Sequence, residues 1–157
     1  MLSFTSNLSS DSGAFAIFVS EKYDYNDKSN ILSKKSVEKI NSFLRDLKVE
    51  KKEEHIHSLD ISNKQRCLII KVKSKYESFY PEETGGAFFS YLKNFKYINK
   101  IDFYADTLNF DREKLVSFFS EFIFGFNLKS YTFNKYKTLN KEKINKKINF
   151  RIITNNK

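Results

Sequence analysis

A single cysteine, Cys67, in 157 residues excludes an intrachain disulfide framework, and its place at the head of an apolar run suits a small buried core residue. There is no tryptophan, and four glycines and one proline leave few positions where the backbone is forced to break. Nowhere do about 18 apolar residues follow one another, so no membrane-spanning helix is expected. The amino end lacks a basic stretch followed by an apolar run of signal length, and a cytoplasmic protein is the default expectation.

What is abundant is aromatic and basic. With 17 Phe and 9 Tyr the core must be built largely from rings, and a chain of this length suffices for one core that buries roughly 70% of its unfolded surface. A single domain over residues 1–157 is therefore expected. The charge is uneven. From Asn127 onward nine basic residues face Glu142 alone, a net +8 that leaves only +1 of the chain's +9 for the first 126 residues. The abundance of Lys, Asn, Ile and Phe also fits the codon bias of an A+T-rich genome.

Periodicity places the elements. Phe15 to Val19 is a short apolar run behind Gly13 and reads as a buried strand, with a further strand over Leu2 to Thr5. Asp24 to Asn30 is polar and reads as a surface loop. From Ser36 the apolar positions Val37, Ile40, Phe43, Leu44 and Leu47 recur at helical spacing. His55 to Ile61 alternates, Cys67 to Val72 is the clearest strand, and the polar turn Ser62 to Arg66 would make the two neighbours. Pro81, Glu82 and Glu83 start a second helix to about Phe95, because proline gives up a donor the first turn does not need and carboxylates suit its positive end. Gly85, Gly86 and Ala87 leave one flank of that helix bare, which would let it approach a sheet. Ile101 to Ala105 is a strand. Asp111 caps a third helix with Leu115, Phe118, Phe119, Phe122 and Ile123 inward, which Gly125 ends or loosens. Ile148 to Ile153 is the last strand. The order predicts an α/β fold in which helices flank a mixed central sheet.

No catalytic constellation assembles. His55 and His57 project from one face of a strand and could ligate one metal, but a third ligand is not evident and Asp60 would point the other way. Glu82 to Gly86 lacks the lysine and spacing of a phosphate loop and carries two carboxylates where an anion would sit. Tyr131, Phe133 and Tyr136 alternate with Lys129, Lys135 and Lys137, a mixture that could grip phosphates and stack bases of a nucleic acid; the same spacing equally suits rings tucked into the core.

The segment Phe124 to Thr138 resembles the run that closes the non-catalytic N-terminal domain of leucyl aminopeptidases, the cytosol aminopeptidase (M17) family. Gly125, Leu128, Ser130, Tyr131, Phe133, Tyr136, Lys137 and Thr138 fall on matching positions and Asn134 on one that takes aspartate or asparagine. Phe124 stands where the family commonly has glutamate, and Lys129 where it has a second glycine. The resemblance implies a macro-domain-like α/β domain that precedes a separate peptidase domain in hydrolases that are usually hexamers. The zinc or manganese of such an enzyme belongs to that peptidase domain, whose metal motifs have no counterpart here. The resemblance implies that this chain has no catalytic, cofactor-binding or metal residue of its own. Its expected partners are the peptidase domain of the same polypeptide and further copies in a homo-oligomer, with no membrane contact. The competing expectation is a stand-alone basic module that binds nucleic acid through its lysine-rich C-terminal segment. An ADP-ribose site is not implied by architecture alone, because the loop it needs is not evident.

Overall fold

The computed structural model describes residues 2–5, 13–26, 32–132 and 148–154. Their contacts group into two compact units, one of Met1–Ser74, Lys100–Asn109 and Asn149–Lys157, the other of Lys75–Asn99 and Phe110–Ile148.

Among the described residues the first unit holds six strands and a helix. In chain order these are β1 (Leu2–Thr5), β2 (Ala14–Val19), α1 (Lys34–Glu50), β3 (Ile56–Ser62), β4 (Gln65–Lys71), β5 (Lys100–Tyr104) and β6 (Asn149–Ile153). The sheet order is β1-β6-β5-β2-β4-β3, parallel throughout except for β3, which runs antiparallel to β4 at the edge. The fold is therefore α/β with a mixed sheet, as the sequence predicts. Gln65 and Lys71 bound β4 rather than Cys67 and Val72, and β3 and β4 are joined by the expected polar turn.

One face of the sheet packs on α1. Phe15, Ile17 and Val19 from β2, Cys67 and Ile69 from β4, Tyr104 and Ile153 form one buried cluster with Ile40, Leu44 and Leu47 of the helix. Those three helix positions lie on one stripe at spacings of four and three, so a single face of α1 meets the sheet. Ser33 caps the helix by accepting from the Ser36 amide at 3.2 Å, and Lys51, in the left-handed conformation at φ 49°, closes it. Strand β5 pairs with β2 only at Phe15 and Ala16, because after Tyr104 the chain turns into a 3-10 segment, Ala105–Thr107. The Thr107 hydroxyl takes the place of the missing strand: it accepts from the Phe18 amide at 2.9 Å and donates to the Tyr104 carbonyl at 2.6 Å. A side chain 89 residues away thus satisfies a buried backbone donor.

The second unit is a helix pair, α2 (Tyr80–Leu92) and α3 (Arg112–Thr132). Pro81 sits in the first turn of α2 with Glu82 and Glu83 beside it, and the Asp111 carboxylate accepts from the Lys114 amide at 2.8 Å to cap α3. Rings fill the unit. Phe118 contacts Tyr76, Phe110, Phe119 and Phe122, and Phe88 contacts Phe122 and Phe126.

Two expectations are corrected here. The bare flank of α2 meets another helix: a Cβ on Gly85 would lie 1.9 Å from the Phe122 carbonyl oxygen, and one on Gly125 would lie 2.0 Å from the Glu82 oxygen. In both places the α-hydrogen points at a carbonyl of the facing helix, an approach only glycine allows. For the same reason Gly125 does not end α3, which continues to Thr132. The helix keeps its glycine because α2 occupies the space, and the surrounding hydrogen-bond ladder outweighs a propensity cost of about 1 kcal/mol.

Gly86 is different. A Cβ there would meet its nearest neighbours at 3.7 and 3.8 Å, ordinary contact distances. Gly86→Ala is therefore expected to stabilise the protein by about 0.5 to 1 kcal/mol through helix propensity and a less flexible unfolded chain, read as a higher urea midpoint at unchanged slope.

Candidate functional site

The chain leaves β2 through a tight turn. Ser20 donates its amide to the Asp24 carbonyl at 2.7 Å, its carbonyl accepts from Tyr23 at 2.9 Å, and its hydroxyl accepts from the amides of Lys22 and Asp24 at 3.2 Å. Tyr23 adopts φ 61°, a left-handed conformation that is costly for an aromatic residue. Its side chain is buried and its hydroxyl is held from three sides. The hydroxyl donates to the Lys52 carbonyl at 2.9 Å and accepts from Lys71 Nζ at 3.3 Å, while His57 Nε2 lies 3.3 Å away. Lys71 also donates to the Lys52 carbonyl at 3.3 Å and stands 4.9 Å from the centre of the Tyr23 ring. These contacts compensate the backbone strain. The phenol donates to a carbonyl, and the cluster fastens the turn to the sheet.

His57 Nε2 is 3.0 Å from the Glu54 carbonyl, which can only accept, so Nε2 carries the proton of the neutral ring. Burial lowers the pKa of His57 below 6.5, with Lys71 and Lys52 acting in the same direction and the Glu54 carbonyl and carboxylate opposing. The unfolded chain then binds more protons than the folded one below that value, so stability is lost as pH falls through 6.5 towards the folded pKa. In urea titrations, His57→Gln is expected to remove this part of the decline between pH 7.5 and pH 5, so that wild type loses more stability over that interval than the variant.

Beside this turn lies a groove of about 540 Å³ lined by Tyr23, Asp24, Tyr25, Glu38, Asn41, Leu44, Arg45 and Lys48. Glu38, Asn41, Arg45 and Lys48 are spaced three, four and three apart on α1, which puts them in one exposed row. The turn residues form the opposite wall and Leu44, buried, forms part of the base. Lys48 Nζ and Asp24 Oδ1, 2.7 Å apart, tie the two walls together. Glu38, Asn41 and Arg45 make no side-chain hydrogen bond or ion pair with any other described residue.

The residues singled out in the sequence do not converge. His55 is exposed just before β3, whereas His57 belongs to the Tyr23 cluster. Asp60 accepts from Arg66 Nε at 2.6 Å, which holds its carboxyl below the usual range. Among the described residues no group of three or more His, Cys, Asp or Glu could hold a metal ion. Glu82 to Gly86 lie within α2, where the Thr84 hydroxyl donates to the Tyr80 carbonyl at 2.8 Å and Gly85 packs on α3, so no amide cradle is formed. Of the motif residues, Gly125, Leu128, Ser130 and Tyr131 all lie in α3; Ser130 donates to the Asn127 carbonyl at 2.7 Å, and Tyr131 is 81% exposed. Phe133, Tyr136, Lys137 and Thr138 lie outside the described residues, as does most of the lysine-rich segment. The sequence reading missed Tyr23, Lys71 and the groove; two tyrosines flanking Asp24 in an otherwise polar turn were the available signal.

The buried thiol of Cys67 has its pKa pushed up by desolvation, as suits a core residue. No helix among the described residues is long and apolar enough to cross a membrane.

No family model and no curated protein sequence matches the chain. Solved structures do. The macrodomain of Thermus aquaticus DarG superposes with a TM-score of 0.64 at 8% identity, over 98% of each chain. A mutant of tomato leucine aminopeptidase superposes with a TM-score of 0.66 at 16% identity, over 98% of this chain and 32% of that one. The present sequence thus spans about a third of the aminopeptidase's length, and falls in its N-terminal domain. At these identities the likeness is one of fold: the chain has the macrodomain architecture, shared with that N-terminal domain.

Proposed function

We propose that the chain is a non-catalytic accessory domain of a leucyl-aminopeptidase-type metallopeptidase, packing against a peptidase domain, supporting assembly of the oligomer and shaping access to the active site. The observation that carries this reading is the place of Gly125. The first residue of the family-like motif is the point where α3 touches the backbone of α2 at Glu82, and its neighbours Leu128 and Tyr131 project outward from the same helix. A motif that serves helix packing and presents apolar side chains on a surface fits a docking role. On this reading zinc or manganese would be held by the peptidase domain.

The test is association. Mixed with a leucyl aminopeptidase peptidase domain encoded in the same genome, the chain is expected to co-elute at micromolar concentration and to change that domain's oligomeric state or its KM for leucine amide. Independent elution with unchanged kinetics would overturn the proposal.

A further inference from the structure

The groove along α1 has the charge layout of a receptor for a short zwitterion, and we propose that it binds an extended tripeptide with free termini. Glu38 and Arg45 stand two helical turns apart, a rise of roughly 10.5 Å. Three extended residues span about 10 Å. A peptide lying along the helix therefore brings its ammonium to Glu38 and its carboxylate to Arg45, whose planar fork donates two parallel hydrogen bonds to a carboxylate. Asn41 falls between them on the same row, three residues after Glu38 and four before Arg45. Its side chain offers a donor and an acceptor at the height of the peptide's central amide. Across the groove the half-buried Tyr25 ring faces the middle side chain, with Tyr23 and Leu44 buried beneath it. The groove has a volume of about 540 Å³.

The charge balance selects against other small ligands. Lys48 is paired with Asp24 at 2.7 Å, so among the described lining residues Arg45 is the cation and Glu38 the anion without an ion-pair partner. A phosphate group, with about two charges, would find a single fork and a repelling Glu38 in the same groove. A blocked peptide would leave both charges unanswered. This site is separate from the proposed docking role and survives or fails without it.

The experiment is a titration of the isotopically labelled chain with tri-alanine, following the Asn41 side-chain amide by NMR. Saturable shifts at millimolar peptide are expected, weaker with di-alanine, whose charges are too close, and absent with N-acetyl-tri-alanine amide. Glu38→Arg and Arg45→Glu, both at exposed positions, are each expected to weaken binding about tenfold, equivalent to about 1.4 kcal/mol. The double variant restores it, because the zwitterion then binds in the reverse direction. Equal shifts from the blocked peptide, no saturable shift, or a double variant as weak as the singles would overturn the proposal.

Discussion

Gly125→Ala is expected to destabilise the protein by about 3 kcal/mol or more, or to abolish soluble expression, although alanine is the better helix former by about 1 kcal/mol. The added carbon would sit 2.0 Å from the Glu82 oxygen, 2.6 Å from its carbonyl carbon and 2.8 Å from its Cα. None of these atoms ends a flexible side chain. The only relief is to move one helix away from the other, which unpacks Phe88 from Phe122 and Phe126 and Phe89 from Phe126. Gly85→Ala should act in the same direction for the same reason, with the Phe122 oxygen at 1.9 Å. The contrast with Gly86→Ala, one residue along and expected to stabilise, separates steric exclusion from helix propensity in a single helix. Thermal melts of the three variants decide it, and a Gly125→Ala protein as stable as wild type would contradict the close approach of α2 and α3.

Arg151→Met is the second large effect. Asp102 of β5 is completely buried, and its register partner on β6 is Arg151, which donates from Nε to Oδ1 at 2.8 Å and from Nη2 to Oδ2. This is a two-pronged pair in the interior of a parallel sheet, where the guanidinium is itself largely covered. Replacing Arg151 by methionine keeps the apolar stem and strips the carboxylate of its charge partner, at a cost of about 3 to 5 kcal/mol. For a chain of this size that corresponds to a fall of roughly 6 to 20 °C in Tm. The double variant Asp102→Leu with Arg151→Met is expected to recover most of the loss, since well-packed apolar residues often replace a buried pair without penalty. If the single variant melts within about 2 °C of wild type, the pair contributes little.

The elements themselves could be read from local signals. The capping role of Asp111, the start of α2 at Pro81 and the helical row Ile40, Leu44, Leu47 each depend on residues within a few positions of one another, and each is where the sequence places it. Gly125 shows where local reading fails. A glycine near the end of an apolar helical row carries the signature of a helix terminus, and the reason it continues lies in Glu82, on a different helix. The groups that join distant parts of the chain were invisible for the same cause. Thr107 reaches Phe18, Arg151 reaches Asp102 across 49 residues, and the Tyr23 hydroxyl gathers Lys52, His57 and Lys71. Nothing in the spacing of these residues announces their contact. The sheet order brings them together.

The groove beside α1 lies between these extremes. Its charged row at 38, 41, 45 and 48 follows from helical periodicity, but an exposed polar row is what any surface helix presents. Among the described residues the turn carrying Tyr23, Asp24 and Tyr25 makes it concave, and that turn is fixed by the Ser20 hydroxyl and the Tyr23 cluster.

The central claim, that this chain supports an aminopeptidase without carrying its chemistry, is tested most directly by assaying the purified 157-residue protein for hydrolysis of leucine amide with added manganese or zinc. No release of leucine above the metal-only control is the predicted result. Metal-dependent turnover by the chain alone would show that it holds a catalytic site and would contradict the account.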